Sequence, residues 1–386
     1  MEERLHIPRA FYLVCLLLIM LGLATLVYGF VHAPARTWAN YLLNNYYFLA
    51  ISIGAAFFVS LQYISQAGWS SGFIRVPESM MMYIPVAFVL FLILYFGTSH
   101  LYAWAGKSTV SGDVILQHRS GYLNLPFAFL RLIVFFGIWT LMALLIRKSS
   151  LRQDAEGGMV NFRKSEVYAK IFIFILAITY SLFTFDWMMS IEKHWTSTLF
   201  ALKDFIASFY HGSAMVALII LYLNKRGKFP FLNKYHVHDL ARYIFMLAII
   251  YGYFWFSQFM LIWYGNIPEE TIYYAVRWKN GWQALFYADI IVNWFLPFAI
   301  LLPLATSRSK AVVAATAILL VFGFWIDLYL QIMPAITASN TFGLIEAGTF
   351  LGFAGLFMLV VTRTLASANL VPRNHPYIEE SLHHEF

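Results

Sequence analysis

Residues 197–223 read STLFALKDFIASFYHGSAMVALIILYL. The stretch is long enough to cross a bilayer, since a helix needs about 20 residues to span ~30 Å of hydrocarbon. It nevertheless keeps Lys203, Asp204, Ser208 and His211 where polar and charged groups are expensive. That pairing of length and charge points to transport or proton traffic. Nine other stretches share the length: 9–31, 41–64, 78–100, 125–147, 167–190, 240–263, 279–303, 309–331 and 343–365. The expected fold is an all-α polytopic membrane protein of ten transmembrane helices, one integral membrane domain over 1–386 with a polar tail at 366–386. Within that tail the stretch Pro372 to Phe386 has little apolar content, and it is expected to be disordered alone and ordered against a partner on the cytoplasmic side.

Composition agrees. With 61% hydrophobic and 12% charged residues, the chain cannot cover a water-soluble surface with polar groups. The first apolar segment is too long for a signal-peptide core, and His32 to Arg36 offer no small-x-small cleavage site, so a retained helix is expected. The one cysteine, Cys15, lies inside that helix, which leaves no disulfide and no thiolate set for an iron–sulfur cluster. The net charge of +7 does not gather into a nucleic-acid patch. Lys and Arg sort by loop instead, 17 on one set of connections and 6 on the alternate set. By the positive-inside rule both termini are expected in the cytoplasm.

No connection has room for a soluble domain; the longest polar ones are Ser149–Glu166 and Asn224–His238. Leu101–Leu123, with Tyr102, Trp104, Val110, Val114, Ile115 and Leu116, is expected to form short segments against the outer membrane surface. Trp187, Trp195, Trp263, Tyr264, Trp278 and Trp282 stand near helix ends and read as an aromatic belt at headgroup level. Gly54 to Ala56, and Gly348, Gly352 and Gly355, permit close helix approach. Pro85 and Pro297 are too isolated to argue for broken helices.

Asp204, Ser208 and His211 follow i, i+4, i+7 spacing and share one face of helix six, a row that can relay protons. The alternative pairs Asp204 with Lys203 or Arg131 and leaves His211 bonding a neighbouring helix. Asp186 falls about one turn inside the outer boundary; the run after it either holds an ion, docks a partner, or caps helix six through Thr196 or Ser197. Asp289 sits near the centre of helix eight with Asn293 one turn further on. Asp327 and Glu346 are expected nearer the outer face, Glu346 close to water, with Arg131 in helix four available as counter-ion to Asp289, Asp327 or Glu346. The proton-pathway candidates are therefore Asp204, Ser208, His211, Asp289, Asp186, Asp327 and Arg131.

Integral haem needs two histidines at matched depth on facing helices. Of eleven, only His211 lies well inside, and His100 closes helix three, so no haem is expected in this chain. His236, His238 and Asp239 either hold a metal or open helix seven. A quinol site needs a protonatable pair at the membrane edge, for which His100 with Asp186 or Glu346 is the best outer-face choice.

FDWMMSIEKHWTSTLF (185–200), HVHDLARYIF (236–245), FWFSQFMLIWYGNIPEE (254–270) and VPRNHPYIEESLHH (371–384) together carry a family resemblance. The chain resembles the smaller of the two NrfD-like membrane subunits of bacterial alternative complex III, the ActF family, over nearly its whole length. The resemblance implies two four-helix bundles plus a flanking helix pair. It also implies a multi-pass subunit of the bacterial inner membrane, non-catalytic in itself, within a complex that oxidises quinol and reduces cytochrome c or an oxidase. Partners would be a larger NrfD-like paralogue that holds the quinol site, iron–sulfur and cytochrome c subunits, and lipids, with no nucleic acid. Haem c and iron–sulfur clusters would sit in those partners, with no cofactor in this chain, whose implied part is proton translocation. A quinol-binding oxidoreductase subunit and an independent ion-coupled transporter are the alternatives.

Overall fold

The computed structural model describes residues 4–385. The spanning helices are α1 (Arg9–His32), α2 (Pro34–Ile64), α3 (Arg75–Leu101), α4 (Leu125–Glu156), α5 (Val160–Trp187), α6 (Thr198–Lys225), α7 (Lys234–Gly265), α8 (Gln283–Leu301), α9 (Lys310–Ile336) and α10 (Leu344–Ala366). Each span is long and apolar enough to cross a membrane, and the described residues contain no strand. The chain is an all-α polytopic membrane protein. Arg4 bridges to Asn369, so both described ends lie on one side, the terminal side, opposite a far side.

Helices α2 to α5 form one bundle through the pairs α2·α3, α3·α4, α4·α5 and α2·α5, and α6 to α9 form a second through the equivalent four pairs. Helices α1 and α10 pack mainly on each other, with the Cα of Gly352 only 2.4 Å from where a Cβ on Gly22 would stand. The bundles meet along α2 and α6. A Cβ on Gly54 would lie 2.0 Å from the carbonyl oxygen of Ser208, so glycine alone lets α2 press onto the polar face of α6. Small residues give helices in lipid their close contact, since lipid leaves little hydrophobic drive to association.

Several expectations are corrected. Helix α2 begins at Pro34 rather than near 41, because Arg36 and Asn40 find a buried partner in Glu346 and their polar turns go inside. Helices α4 and α5 run nearly into each other, reducing the connection to residues 157–159 with Gly157 and Gly158 at φ 67 and 66. The last turns of α4 stay helical because the tail completes them: Gln153 Nε2 donates to Asn374 O at 2.9 Å and Asn374 Nδ2 to Asp154 O at 2.8 Å.

The isolated prolines do interrupt helices. Helix α3 stops at Met81, turns through Met82 and Tyr83, and restarts at Ile84 ahead of Pro85; α8 holds a π turn at Ile291–Phe295 ahead of Pro297. Proline has no N–H to give the carbonyl four residues back. In α8 that carbonyl is Asn293 O, and the Tyr210 hydroxyl of α6 donates to it at 3.1 Å.

The supposed belt is half core. Trp263 and Tyr264 are exposed, but Trp187, Trp195 and Trp282 are buried. On the far side, residues 103–119 form three short helical segments as expected, and a further helix, Pro268–Arg277, was not foreseen. The tail, expected to be disordered alone, folds back over the terminal side. Ser71 Oγ donates to Tyr377 O at 3.1 Å, Ser381 Oγ to Trp69 O at 2.8 Å, and His384 meets Asp239 at 2.7 Å. Residue 386 lies outside the described residues.

Candidate proton-pathway site

Asp204 stands six residues into α6 from the far side and Asp289 six into α8, so both lie about 9 Å deep at 1.5 Å per residue. Asp327 is nine residues from the far end of α9, about 14 Å deep. All three are buried. Around them the second bundle and α2 build two hydrogen-bonded groups.

The first surrounds Asp204. Its Oδ2 accepts from the Tyr46 hydroxyl of α2, and Oδ1 from Gln331 Nε2 of α9 at 3.2 Å. Tyr46 OH also lies 3.0 Å from Tyr180 OH and 3.2 Å from Thr184 Oγ1, both on α5. Ser208 Oγ gives its proton to the Asp204 carbonyl at 2.9 Å, so the close Tyr180 hydroxyl is the donor to Ser208.

The second surrounds Asp289. Asn293 Nδ2 donates to Asp289 Oδ1 at 2.7 Å and to Gly323 O at 2.9 Å, while Trp255 Nε1 donates to Asp289 Oδ2 at 3.1 Å. With both amide protons committed, Asn293 must turn its oxygen to His211 Nε2, 3.1 Å away; His211 Nδ1 meets Ala207 O at 2.7 Å. An imidazole with one proton leaves one nitrogen lone pair against an oxygen. A second proton completes both bonds.

The expected single row is thus divided. Asp204 and Ser208 turn toward α2 and α5, whereas His211 turns to α8 and stacks on Phe324 of α9 with ring centroids 4.4 Å apart. Between the groups, Lys203 Nζ pairs with Asp327 Oδ1 at 2.7 Å and lies 5.9 Å from the Tyr251 ring, whose hydroxyl reaches Asp289 Oδ1 at 3.5 Å. Asp204 pairs with neither Lys203 nor Arg131. Asp327 Oδ2 and Gln331 Oε1, one turn apart on α9, accept nothing from the described protein atoms.

The other acids have different work. Arg131 is the partner of Asp186, Nε to Oδ2 at 2.7 Å, away from the groups above. Glu346, expected close to water, is fully buried: Arg36 grips both its oxygens at 2.7 and 2.6 Å, Asn40 adds 2.9 Å, and Gly343 N donates to Oε2 at 2.9 Å. That set locks α10 to α2. The run after Asp186 neither caps α6 by a side chain nor gathers an ion site. Lys193 and His194 bond Asp113 at 2.6 and 2.7 Å, which holds that carboxyl well below its ordinary range, and Glu192 goes to Arg277.

His236 meets Ser381 O at 3.0 Å and His238 meets Ser307 Oγ at 2.9 Å; the described residues hold no metal-binding group of His, Cys, Asp and Glu. His100 lines a far-side cavity, but neither Asp186 nor Glu346 reaches it; Glu192 and Lys193 do. Sequence reading missed Tyr46, Tyr180, Gln331, Tyr251 and Trp255, and it treated Lys203 only as a partner for Asp204. It also missed a buried cluster in the first bundle, where Arg75 joins Glu78 at 2.7 Å and Asp154 at 2.6 Å.

The chain matches no protein-family model and no curated protein sequence. Its class is set by its own architecture: a ten-helix membrane protein with a buried set of acids, a lysine and a histidine in one bundle.

Proposed function

We propose that this chain is a proton-conducting membrane subunit, without a redox cofactor of its own, of a quinol-oxidising respiratory complex of the alternative complex III type. It would act as the smaller NrfD-like subunit in a bacterial inner membrane, termini in the cytoplasm, beside a larger paralogue and subunits carrying iron–sulfur clusters and haem c. Electrons would pass through those partners to cytochrome c or an oxidase.

One observation carries the proton reading. Two buried carboxyl groups at one depth, Asp204 and Asp289, head separate hydrogen-bonded groups that flank the Lys203–Asp327 pair. Three buried acids against one lysine leave a negative excess that hydrocarbon tolerates poorly, and bound protons cancel it. His211, between two acceptors, gains a bond on taking a proton. In vesicles holding the purified complex, Asp289→Asn and Asp204→Asn should lower proton movement per quinol oxidised while oxidation continues, and Asp327→Asn should do so less. Full coupling in a stable, assembled Asp204→Asn, Asp289→Asn double variant would make these acids structural.

The interrupted spans α3 and α8 favour a second reading, an independent ion-coupled transporter, because broken helices gather at transporter binding sites. Purification in mild detergent separates the two: co-migrating haem and iron–sulfur subunits support the first, and a chain that purifies and transports alone supports the second.

A further inference from the structure

On the far side a cavity of about 370 Å³ opens among the end of α3, the loop after it, the 191–193 turn and the end of α9; His100, Tyr102, Glu192, Lys193 and Ile336 are among its lining residues. Behind its Glu192 wall lies Arg277, 2% exposed, at the end of the Pro268–Arg277 helix. All five guanidinium protons are placed. Nε donates to Leu330 O at 2.8 Å; Nη1 donates to Tyr273 O at 2.6 Å and Glu192 Oε1 at 3.2 Å; Nη2 donates to Glu192 Oε1 at 3.1 Å and Gln331 O at 3.0 Å.

The seat is made by a proline. Pro334, inside α9, has no N–H for Leu330 O, and the guanidinium takes that carbonyl instead. The side chain of Gln331, whose backbone Arg277 also holds, is the one that donates to Asp204. Cavity, Glu192, Arg277, Gln331 and Asp204 are therefore in contact one after another. A fixed positive charge at such a point turns cations back, as arginines do in selective pores.

We propose that this cavity is the aqueous far-side mouth of the path to Asp204, and that Arg277, latched by Glu192 on the Pro334 seat, is its gate. The inference rests on the proton-conducting role proposed above. Parting the latch admits water and cations to Gln331; closing it isolates Asp204.

Thiol accessibility tests it without measuring protons. Cys15 is the one natural cysteine and is buried, so a Cys15→Ser chain is a clean background. Single cysteines at the cavity wall, Ile336→Cys, and behind the gate, Gln331→Cys, are treated in lipid nanodiscs with a small uncharged, hydroxyl-bearing methanethiosulfonate, whose entry reports opening of the latch in either gate variant. Ile336→Cys should react at least about tenfold faster than Gln331→Cys, and adding Arg277→Gln or Glu192→Gln should raise the Gln331→Cys rate about tenfold with little change at Ile336→Cys. If Arg277→Gln does not fold, Glu192→Gln frees the latch and carries the test. An Ile336→Cys rate as slow as that of Gln331→Cys, or a Gln331→Cys rate unmoved by the gate variants that fold, overturns the gate. Labelling as expected, with full coupling in the Asp204, Asp289 double variant, removes the proton role and keeps the gate.

Discussion

Arg131 and Asp186 sit on α4 and α5, bonded Nε to Oδ2 at 2.7 Å, with the guanidinium 3.9 Å from the Tyr122 ring centroid. Neither side chain is more than 8% exposed, so each charge depends on the other. Arg131→Leu should therefore cost about 3–5 kcal/mol by leaving a buried carboxylate alone, whereas the Arg131→Leu, Asp186→Leu double variant should recover much of that loss. Thermal unfolding of the purified protein measures both; a double variant no more stable than the single would mean the pair is not coupled. The pairing itself was hidden, but Asp186 was legible as an acid inside an apolar run and Arg131 as a counter-ion for other acids, Asp204, Asp289, Asp327 or Glu346. The hydroxyl and amide partners of Asp204 were not. In a chain with 24 tyrosines, nothing in sequence separates Tyr46 and Tyr180 from those that merely pack. Their role comes from the crossing of α2 and α6 over Gly54, a long-range event that helical spacing does not encode.

At the scale of elements, hydropathy located every span because bilayer thickness sets the length of each apolar run. It misplaced the starts of α2 and α7, where polar turns are satisfied inside the protein. The tail was misread for a related reason: Pro372 to His384 carry little apolar surface, yet their backbone and polar groups bond loops distant in sequence. His375, 8% exposed, packs near Tyr63, Phe162 and Tyr377, and burial, assisted by the charge of Arg75, pushes its pKa down to about 4. An unfolded or undocked histidine titrates near 6.5, so the docked tail binds fewer protons than the free one. Its stabilisation is present above about pH 6.5 and fades as pH falls toward 4, by up to about 3 kcal/mol. Amide protection over residues 374–384, meaning exchange divided by the intrinsic rate at each pH, should fall between pH 7 and 5, and His375→Phe should flatten that pH dependence. Equal pH dependence in the variant would show that His375 does not carry the effect.

For the molecule as a whole, sidedness would give the proposed proton path its direction. Ten spans and the Arg4–Asn369 bridge put both described ends on one side, and the tail is bonded to the 66–72 and 233–239 segments of that same side. Determining the location of one terminus therefore determines that of every loop. The charge bias of 17 to 6 favours a cytoplasmic terminal side, which would leave the 370 Å³ cavity and the shallow ends of Asp204 and Asp289 facing the periplasm. A C-terminal alkaline phosphatase fusion should then be inactive in cells, and a C-terminal green fluorescent protein should fluoresce. The cavity side should show the reverse: a cysteine placed at exposed His100, in the Cys15→Ser chain, should react with an impermeant reagent added to whole cells whose outer membrane is opened. An active phosphatase fusion, together with no labelling at position 100, would invert the molecule. Asp204 and Asp289 would then lie nearer the cytoplasm, and Arg277 would guard proton entry from that side rather than exchange with the periplasm.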